Sequence, residues 1–291
     1  MGERVPTLDD RIGHGTVTGR SGVRLAVRTA GPTDAPPVLF LHGWAQSSRV
    51  WSHQLTGPLA DSYRLIAADL RGHGDSDAPL TGYDSPGEWA ADVAALLALA
   101  GRPAVLVGWS YGGLVITDYL RCRGTENVAG LVFVGAITEI GRGHPGGRVG
   151  RLMRAVQPAA LAADPEVAGP ALREFATGMP GTGARPSRFA ESLVAESLRV
   201  PARVRAALFD RDVDSAGVLA AVDVPTLVLH GRQDEVVAPS AAEYTAGLVP
   251  GATLTWFDHT GHLPFAERAS AFDAALAEHL DRCFPPAGGA A

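Results

Sequence analysis

The sequence predicts an α/β fold, a mostly parallel sheet of eight strands with helices on both faces and one helical insertion. Three observations carry that expectation. Short apolar runs alternate with helix-length stretches through most of the 291 residues. The alternation stops between Ala136 and Val222 and resumes beyond it. One strand–helix junction, Gly108-Trp109-Ser110-Tyr111-Gly112, has the form Gly-x-Ser-x-Gly.

In chain order, Thr16–Val17 and Val23–Arg28 flank Ser21-Gly22 and read as an opening hairpin. Val38–Leu41, Arg64–Ala68, Ala104–Val107 and Leu131–Val134 read as strands, with helices at Ser85–Ala100 and Gly112–Arg123 between them. Thr226–Leu229 and Thr253–Phe257 complete the sheet, interleaved with helices near Ala241–Leu248 and Glu267–Arg282. The core is therefore expected to comprise residues 1–135 and 223–291, with 136–222 inserted as a helical lid. That insertion opens on the glycine-rich Gly141–Gly147 and then shows helical patterning at Arg148–Val156 and Phe189–Arg199. Its apolar residues Leu152, Met153, Val156, Phe175, Met179, Phe189 and Leu193 must face either the core or a pocket. No internal repeat is present, and Pro285–Ala291 reads as a frayed tail.

The strand Ala104–Val107 before Ser110 and the helix after it supply the context of a nucleophile elbow. Glycines at 108 and 112 carry no Cβ, so strand and helix can close tightly around a serine in a strained backbone conformation. A serine hydroxyl is a weak nucleophile and needs a base and an orienting acid. Asp234 lies just beyond the strand ending at His230-Gly231, and Glu235 and Asp258 are weaker candidates for the acid. After Phe257 comes Asp258-His259-Thr260-Gly261-His262, in which His262 is the better placed base and His259 its rival. Gly261 is expected to give the His262 loop the freedom to aim its imidazole at the elbow.

These motifs, in this order, resemble those of the α/β-hydrolase family over nearly the whole chain. Val38-Leu39-Phe40-Leu41-His42-Gly43-Trp44 is similar to the family's third strand and oxyanion loop. Asp69-Leu70-Arg71-Gly72-His73-Gly74-Asp75-Ser76 is similar to the loop after its fourth strand. By that resemblance the backbone N–H groups of Trp44 and Tyr111 would hold the oxyanion, and Trp44, Trp109, Tyr111 and Leu263 would contact substrate. The His-Gly-Trp and Gly-Trp-Ser-x-Gly-Gly pairing also resembles cofactor-free haloperoxidase-like esterases, or perhydrolases, and methyl esterases of carrier-bound pimeloyl chains. His42 and Arg71 read as structural neighbours of the site.

The expected activity is that of a serine hydrolase on a small or medium carboxylic ester, free or carried on a protein. Lactones and thioesters are neighbouring substrates. Perhydrolysis, carbon–carbon bond hydrolysis, cyclisation and simple ligand reception use the same fold. No His or Cys cluster has metal-ligand spacing and no phosphate-binding glycine loop follows the first strand, so no metal and no cofactor are implied.

Composition agrees with this reading. An apolar fraction of 46% with 19% charged residues suits a globular chain. Only Cys122 and Cys283 are present, which suits a reducing cytoplasm. The first ten residues lack the pattern of a secretory signal, and no apolar run reaches membrane-spanning length. All 25 basic side chains are arginine and the formal net charge is −6. Without a basic run there is no electrostatic footprint for nucleic acid or for a membrane surface. Residues 138–222 hold 11 Arg against 9 Asp and Glu, so the insertion is positive relative to the acidic remainder. That imbalance would either steer an anionic substrate or acidic carrier towards the insertion or reflect ordinary solvated helix faces.

Overall fold

A computed structural model describes residues 11–181 and 188–285, the side chain of Arg188 excepted. The first ten residues, where no secretory signal is expected, and residues 286–291 of the expected tail lie outside it. Among the described residues there are eight strands, β1 (Gly13–Thr18), β2 (Arg24–Ala30), β3 (Pro37–Leu41), β4 (Arg64–Ala68), β5 (Ala104–Trp109), β6 (Val128–Val134), β7 (Thr226–Gly231) and β8 (Thr253–Phe257). They form one sheet in the order β1-β2-β4-β3-β5-β6-β7-β8. β1 and β2 pair antiparallel around a tight turn in which Ser21 and Gly22 take φ of 59° and 78°. β2 is antiparallel to β4, and the remaining pairings are parallel. The apolar strands β3, β5 and β7 are buried along their whole length, as strands covered on both faces must be.

Among the described residues, twelve α-helices accompany the sheet. In chain order, α1 (Ser52–Thr56), α2 (Leu59–Ser62), α3 (Pro86–Ala100) and α4 (Tyr111–Arg123) precede the insertion. α5 (Arg151–Ala160), α6 (Pro165–Gly178), α7 (Arg188–Arg199), α8 (Ala202–Ala207) and α9 (Ala216–Ala220) lie between β6 and β7. α10 (Pro239–Leu248), α11 (Pro264–Glu267) and α12 (Ala269–Cys283) close the chain. The expected helix Glu267–Arg282 is thus two helices, because Arg268 breaks the helical backbone at φ −133°. The helix α3 stops at Gly101, whose φ of 75° is the left-handed conformation that suits glycine.

Strand order explains where a site can form. The chain winds from β3 outward to β4, then returns past β3 to β5 and proceeds the other way to β6, β7 and β8. Right-handed crossovers then send the connections to opposite faces, and the loops leaving β3 and β5 part company at their carboxyl ends. The resulting crevice lies where His42–Trp44 and the Ser110 turn both emerge.

Helices α5–α8 sit over that end, while α9 packs against α4 and α10. Helix α6 packs against both α5 and α7, and bridges Ile140↔Val213 and Val149↔Val237 tie the segment to itself and to the loop after β7. Arginines of the segment meet acceptors on the body. Arg211 bonds the buried Asp118 of α4 at 2.8 Å, and Arg199 bonds Asp75 at 2.7 Å. Arg203 donates to the carbonyls of Ala78 and Pro79. Part of the positive charge noted in the sequence is therefore matched by acceptors on the body.

Candidate active site

The turn after β5 is built around Ser110, which has φ 54° and ψ −118°, a conformation rare for a residue with a Cβ. Its backbone is held on both sides. Ser110 N donates to Val134 O at 3.0 Å, and Ser110 O accepts from Gly113 N and Ile137 N. The expected closeness of the flanking glycines is present. A Cβ on Gly108 would lie 2.7 Å from the Gly112 carbonyl, and one on Gly112 would lie 2.5 Å from Leu41 O. Ser110 is 8% exposed.

Asp234 and His262 come together from the loops after β7 and β8, with His262 Nδ1 2.7 Å from Asp234 Oδ2. Asp234 Oδ1 accepts from Val236 N and Val237 N, so both carboxylate oxygens are engaged and Nε2 is the imidazole nitrogen left without a partner. Burial by itself would raise the Asp234 pKa. The charge and hydrogen bond of His262, with help from His230 and Val237 N–H, outweigh burial and hold the group below the usual carboxylate range. His262 Nε2 is buried and has no hydrogen-bond partner among the described residues, and no hydrogen bond joins it to Ser110 Oγ. Gly135, at φ 48°, packs on the pair, and a Cβ there would sit 3.2 Å from both Asp234 Oδ2 and His262 Nδ1.

The rival candidates lie elsewhere. His259 is exposed, with φ 51°. Glu235 pairs with Arg151 and Asp258 with Arg232 in surface ion pairs. Gly261 has a role other than the one expected of it. Its φ is not in the left-handed region, and what it requires is space, because a Cβ would collide with Met179, Pro180 and Gly181 of the insertion. The backbone of the His262 loop is thereby pressed against that segment, and His262 N donates to Met179 O at 2.8 Å.

On the other wall, Gly43 touches the elbow, and its absent Cβ would lie 2.8 Å from Ser110 Cβ. His42 accepts from Leu70 N at Nε2 and donates from Nδ1 to Gly43 O at 2.8 Å. Fixing Gly43 O fixes the opposite N–H of the same trans peptide, that of Trp44. His73 acts similarly, accepting from Ala45 N at Nε2 while its Nδ1 donates to Arg71 O. Burial, reinforced by His42, pushes the His73 pKa down to about 3, so it stays neutral and keeps its acceptor. Tyr111 opens α4, where first-turn N–H groups have no intrahelical acceptor. Arg71 is structural as expected, bonding Asp92 at 2.7 and 2.9 Å.

Above Ser110 lies a narrow cavity of about 20 Å³, lined by Trp44, Tyr111, Met153, Phe175, Phe209 and Val236 among others. Its walls offer almost no polar group. Trp44 Nε1 donates to Arg205 O, and Tyr111 Oη donates to Leu208 O while accepting from Arg211. Burial pushes the Tyr111 phenol up to about 12, so it stays a neutral hydroxyl. Of the apolar insertion residues singled out in the sequence, only Met153 and Phe175 line this cavity. Trp109 and Leu263, expected to contact substrate, are not among the residues that line it. The Trp109 ring packs tilted against His262 at 5.2 Å and donates to its carbonyl, and Leu263 is buried beside it. Phe209, Val236, Val237, Val149 and Ile137 were not singled out, because single apolar residues on loops carry no periodic signal.

Among the described residues no group of His, Cys, Asp and Glu is arranged to hold a metal, and no helix is long and apolar enough to cross a membrane. Cys122 and Cys283 are both free.

Comparison with known proteins agrees with this architecture. A non-heme chloroperoxidase of Streptomyces lividans is 32% identical, covering 85% of this chain and 92% of its own. A pimeloyl-[acyl-carrier protein] methyl ester esterase of Stenotrophomonas maltophilia is 31% identical over 87% of this chain and 96% of its own. The crystal structure of the esterase RhEst1 from Rhodococcus sp. ECU1013 superposes with a TM-score of 0.88 at 44% identity, covering 91% of this chain and 97% of that one. Residues 38–275 match the Alpha/beta hydrolase family, a span that takes in the β3 loop, the Ser110 turn and the Asp234–His262 pair, and the chain belongs to that family.

Proposed function

We propose that the protein hydrolyses a small or medium, uncharged carboxylic ester through an acyl-enzyme, with Ser110 as nucleophile, His262 as base and Asp234 as its orienting acid. The observation that carries this reading is the buried 2.7 Å contact of Asp234 with His262 Nδ1, which leaves Nε2 open at the same sheet edge as the strained Ser110. Ser110 Oγ attacks the ester carbon while its proton passes to His262 Nε2. That proton leaves with the alcohol as the tetrahedral intermediate collapses. Water then attacks the acyl-enzyme, again giving a proton to Nε2, and Ser110 recovers it as the acid departs. Asp234 stays ionised and stabilises the imidazolium. The N–H groups of Trp44 and Tyr111 serve as the oxyanion donors, each worth about 2.7–4 kcal/mol in such sites.

Residues 136–222 act in this reading as a lid that shapes the pocket. The apolar lining, with its indole and phenol groups already bonded to backbone carbonyls, favours a hydrocarbon acyl or alcohol group over a charged one. A lactone or thioester of similar bulk fits the same chemistry, and a carrier-bound ester would need a reacting end narrow enough for this cavity. Relatives named as non-heme haloperoxidases and as a bifunctional esterase/perhydrolase favour a second acceptor, hydrogen peroxide in place of water. The test is a panel of p-nitrophenyl esters assayed with wild type and Ser110→Ala, followed by labelling with an organophosphonate. Turnover should fall by several orders of magnitude in the variant. The adduct should map to Ser110, and full activity in a folded Ser110→Ala protein would overturn the reading.

A further inference from the structure

The carboxylate of Glu267, the last residue of α11, gathers backbone N–H groups from two separate parts of the chain. Its Oε2 accepts from Gly181 N at 2.8 Å, in the segment that follows α6. Gly261 N lies 3.0 and 3.1 Å from the two oxygens, and Leu263 N is 3.1 Å from Oε1. Gly261 and Leu263 are the residues on either side of His262. The same segment returns a bond of its own, since Met179 O accepts from His262 N at 2.8 Å. Space is closed as well as bonded, because a Cβ on Gly181 would lie 2.9 Å from Gly261 N and from Gln233 Oε1. Hydrogen bonds to an ionised acceptor are the stronger kind, and three N–H groups converging on one carboxylate fix the loop between them.

We infer that Glu267 is a positioning residue for His262, and that through Gly181 it makes the Met179–Gly181 segment of the helical insertion part of the apparatus that aims the base. The inference rests on the reading of His262 as the base for Ser110. Glu267 touches neither substrate nor Ser110 and acts through the backbone at 261–263. A glutamine at 267 keeps one accepting oxygen and turns an NH2 towards donors, so it cannot hold both the Gly181 and the Leu263 N–H groups. A catalytic group misplaced by about 1 Å loses on the order of a hundredfold in rate.

The experiment measures kcat and KM of Glu267→Gln with p-nitrophenyl butyrate, together with the rate at which an organophosphonate labels Ser110. The expected result is a drop in kcat of about 10- to 100-fold, KM within about threefold, and labelling slowed by the same factor as kcat. The downfield proton resonance of the His262 Nδ1–H should broaden while near-ultraviolet circular dichroism is retained. A folded Glu267→Gln protein with unchanged kcat and labelling rate overturns the inference. Should that variant not fold, Gly181→Ala carries the test by pressing the segment away from Gly261 while leaving Glu267 in place. Lower kcat in folded Gly181→Ala supports the inference, and unchanged kcat overturns it. Failure of the catalytic reading looks different, since Ser110→Ala would then remain active and the phosphonate would not label Ser110 in wild type.

Discussion

Replacing Gly43 by alanine adds one methyl group between the loop after β3 and the Ser110 elbow. The new Cβ would stand 2.8 Å from Ser110 Cβ, 3.2 Å from Trp109 Cε3 and 3.3 Å from Ser110 Oγ. Carbon atoms pack comfortably at about 3.5–4.0 Å, so the overlap with Ser110 is on the order of 1 Å. The elbow cannot yield, since Ser110 N is bonded to Val134 O and Ser110 O accepts from Gly113 N and Ile137 N. The loop must retreat instead, carrying the Trp44 N–H with it. If that N–H is an oxyanion donor, its loss weakens transition-state binding by about 2.7–4 kcal/mol, a fall of roughly 100- to 1,000-fold in kcat. Overpacking should lower stability by only about 1–3 kcal/mol. Steady-state kinetics with p-nitrophenyl butyrate, beside urea unfolding, separate the two effects. A Gly43→Ala protein that folds and keeps kcat within about threefold of wild type would refute the assignment of the oxyanion to Trp44 N–H.

Three further outcomes are expected. His262→Ala should abolish phosphonate labelling, whereas His259→Ala, at an exposed position, should keep most activity, and the reverse ordering would reassign the base. Phe175→Ala or Met153→Ala should shift preference among acyl-chain lengths by roughly tenfold or more, at about 1–3 kcal/mol per methylene-sized contact. Leu152→Ala, in an open surface groove, should shift it little, and an identical profile in all three variants would remove the lid from substrate choice. Stability should fall on acidification, because His73 stays neutral in the fold down to about pH 3. The unfolded imidazole takes a proton below about pH 6.5, so this contribution is complete above that pH and declines towards pH 3, by about 2 kcal/mol between pH 7 and 5. Urea unfolding at the two pH values in wild type and His73→Gln checks it, and equal slopes in both proteins would contradict it.

The positions of the strands, the elbow at Ser110 and the candidates Asp234 and His262 were legible because each is marked by local chemistry. Apolar runs of strand length reveal β3, β5 and β7, and the two glycines around Ser110 report a close approach that only residues without a Cβ allow. The three residues stand at strand ends, where a parallel sheet delivers side chains to one edge. Less was legible where the partner is distant in sequence. Trp109 and Tyr111 flank Ser110 symmetrically, yet one packs against His262 and the other lines the cavity, a difference set by the strained turn between them. Gly261 could be noticed but not explained, since its reason is a segment some 80 residues earlier pressing on it.

Periodicity and turn chemistry are properties of neighbouring residues, so the strands, the break in their alternation after β6 and the three residues of the proposed triad could be read from them. Which side chains line the cavity, the bonding of the Trp44 and Tyr111 polar atoms to backbone carbonyls, and the link from Glu267 between the insertion and the His262 loop emerge only in the folded molecule. The long-range bonds among them join positions 86 to 161 residues apart, formed once burial has obliged each polar group to find a partner.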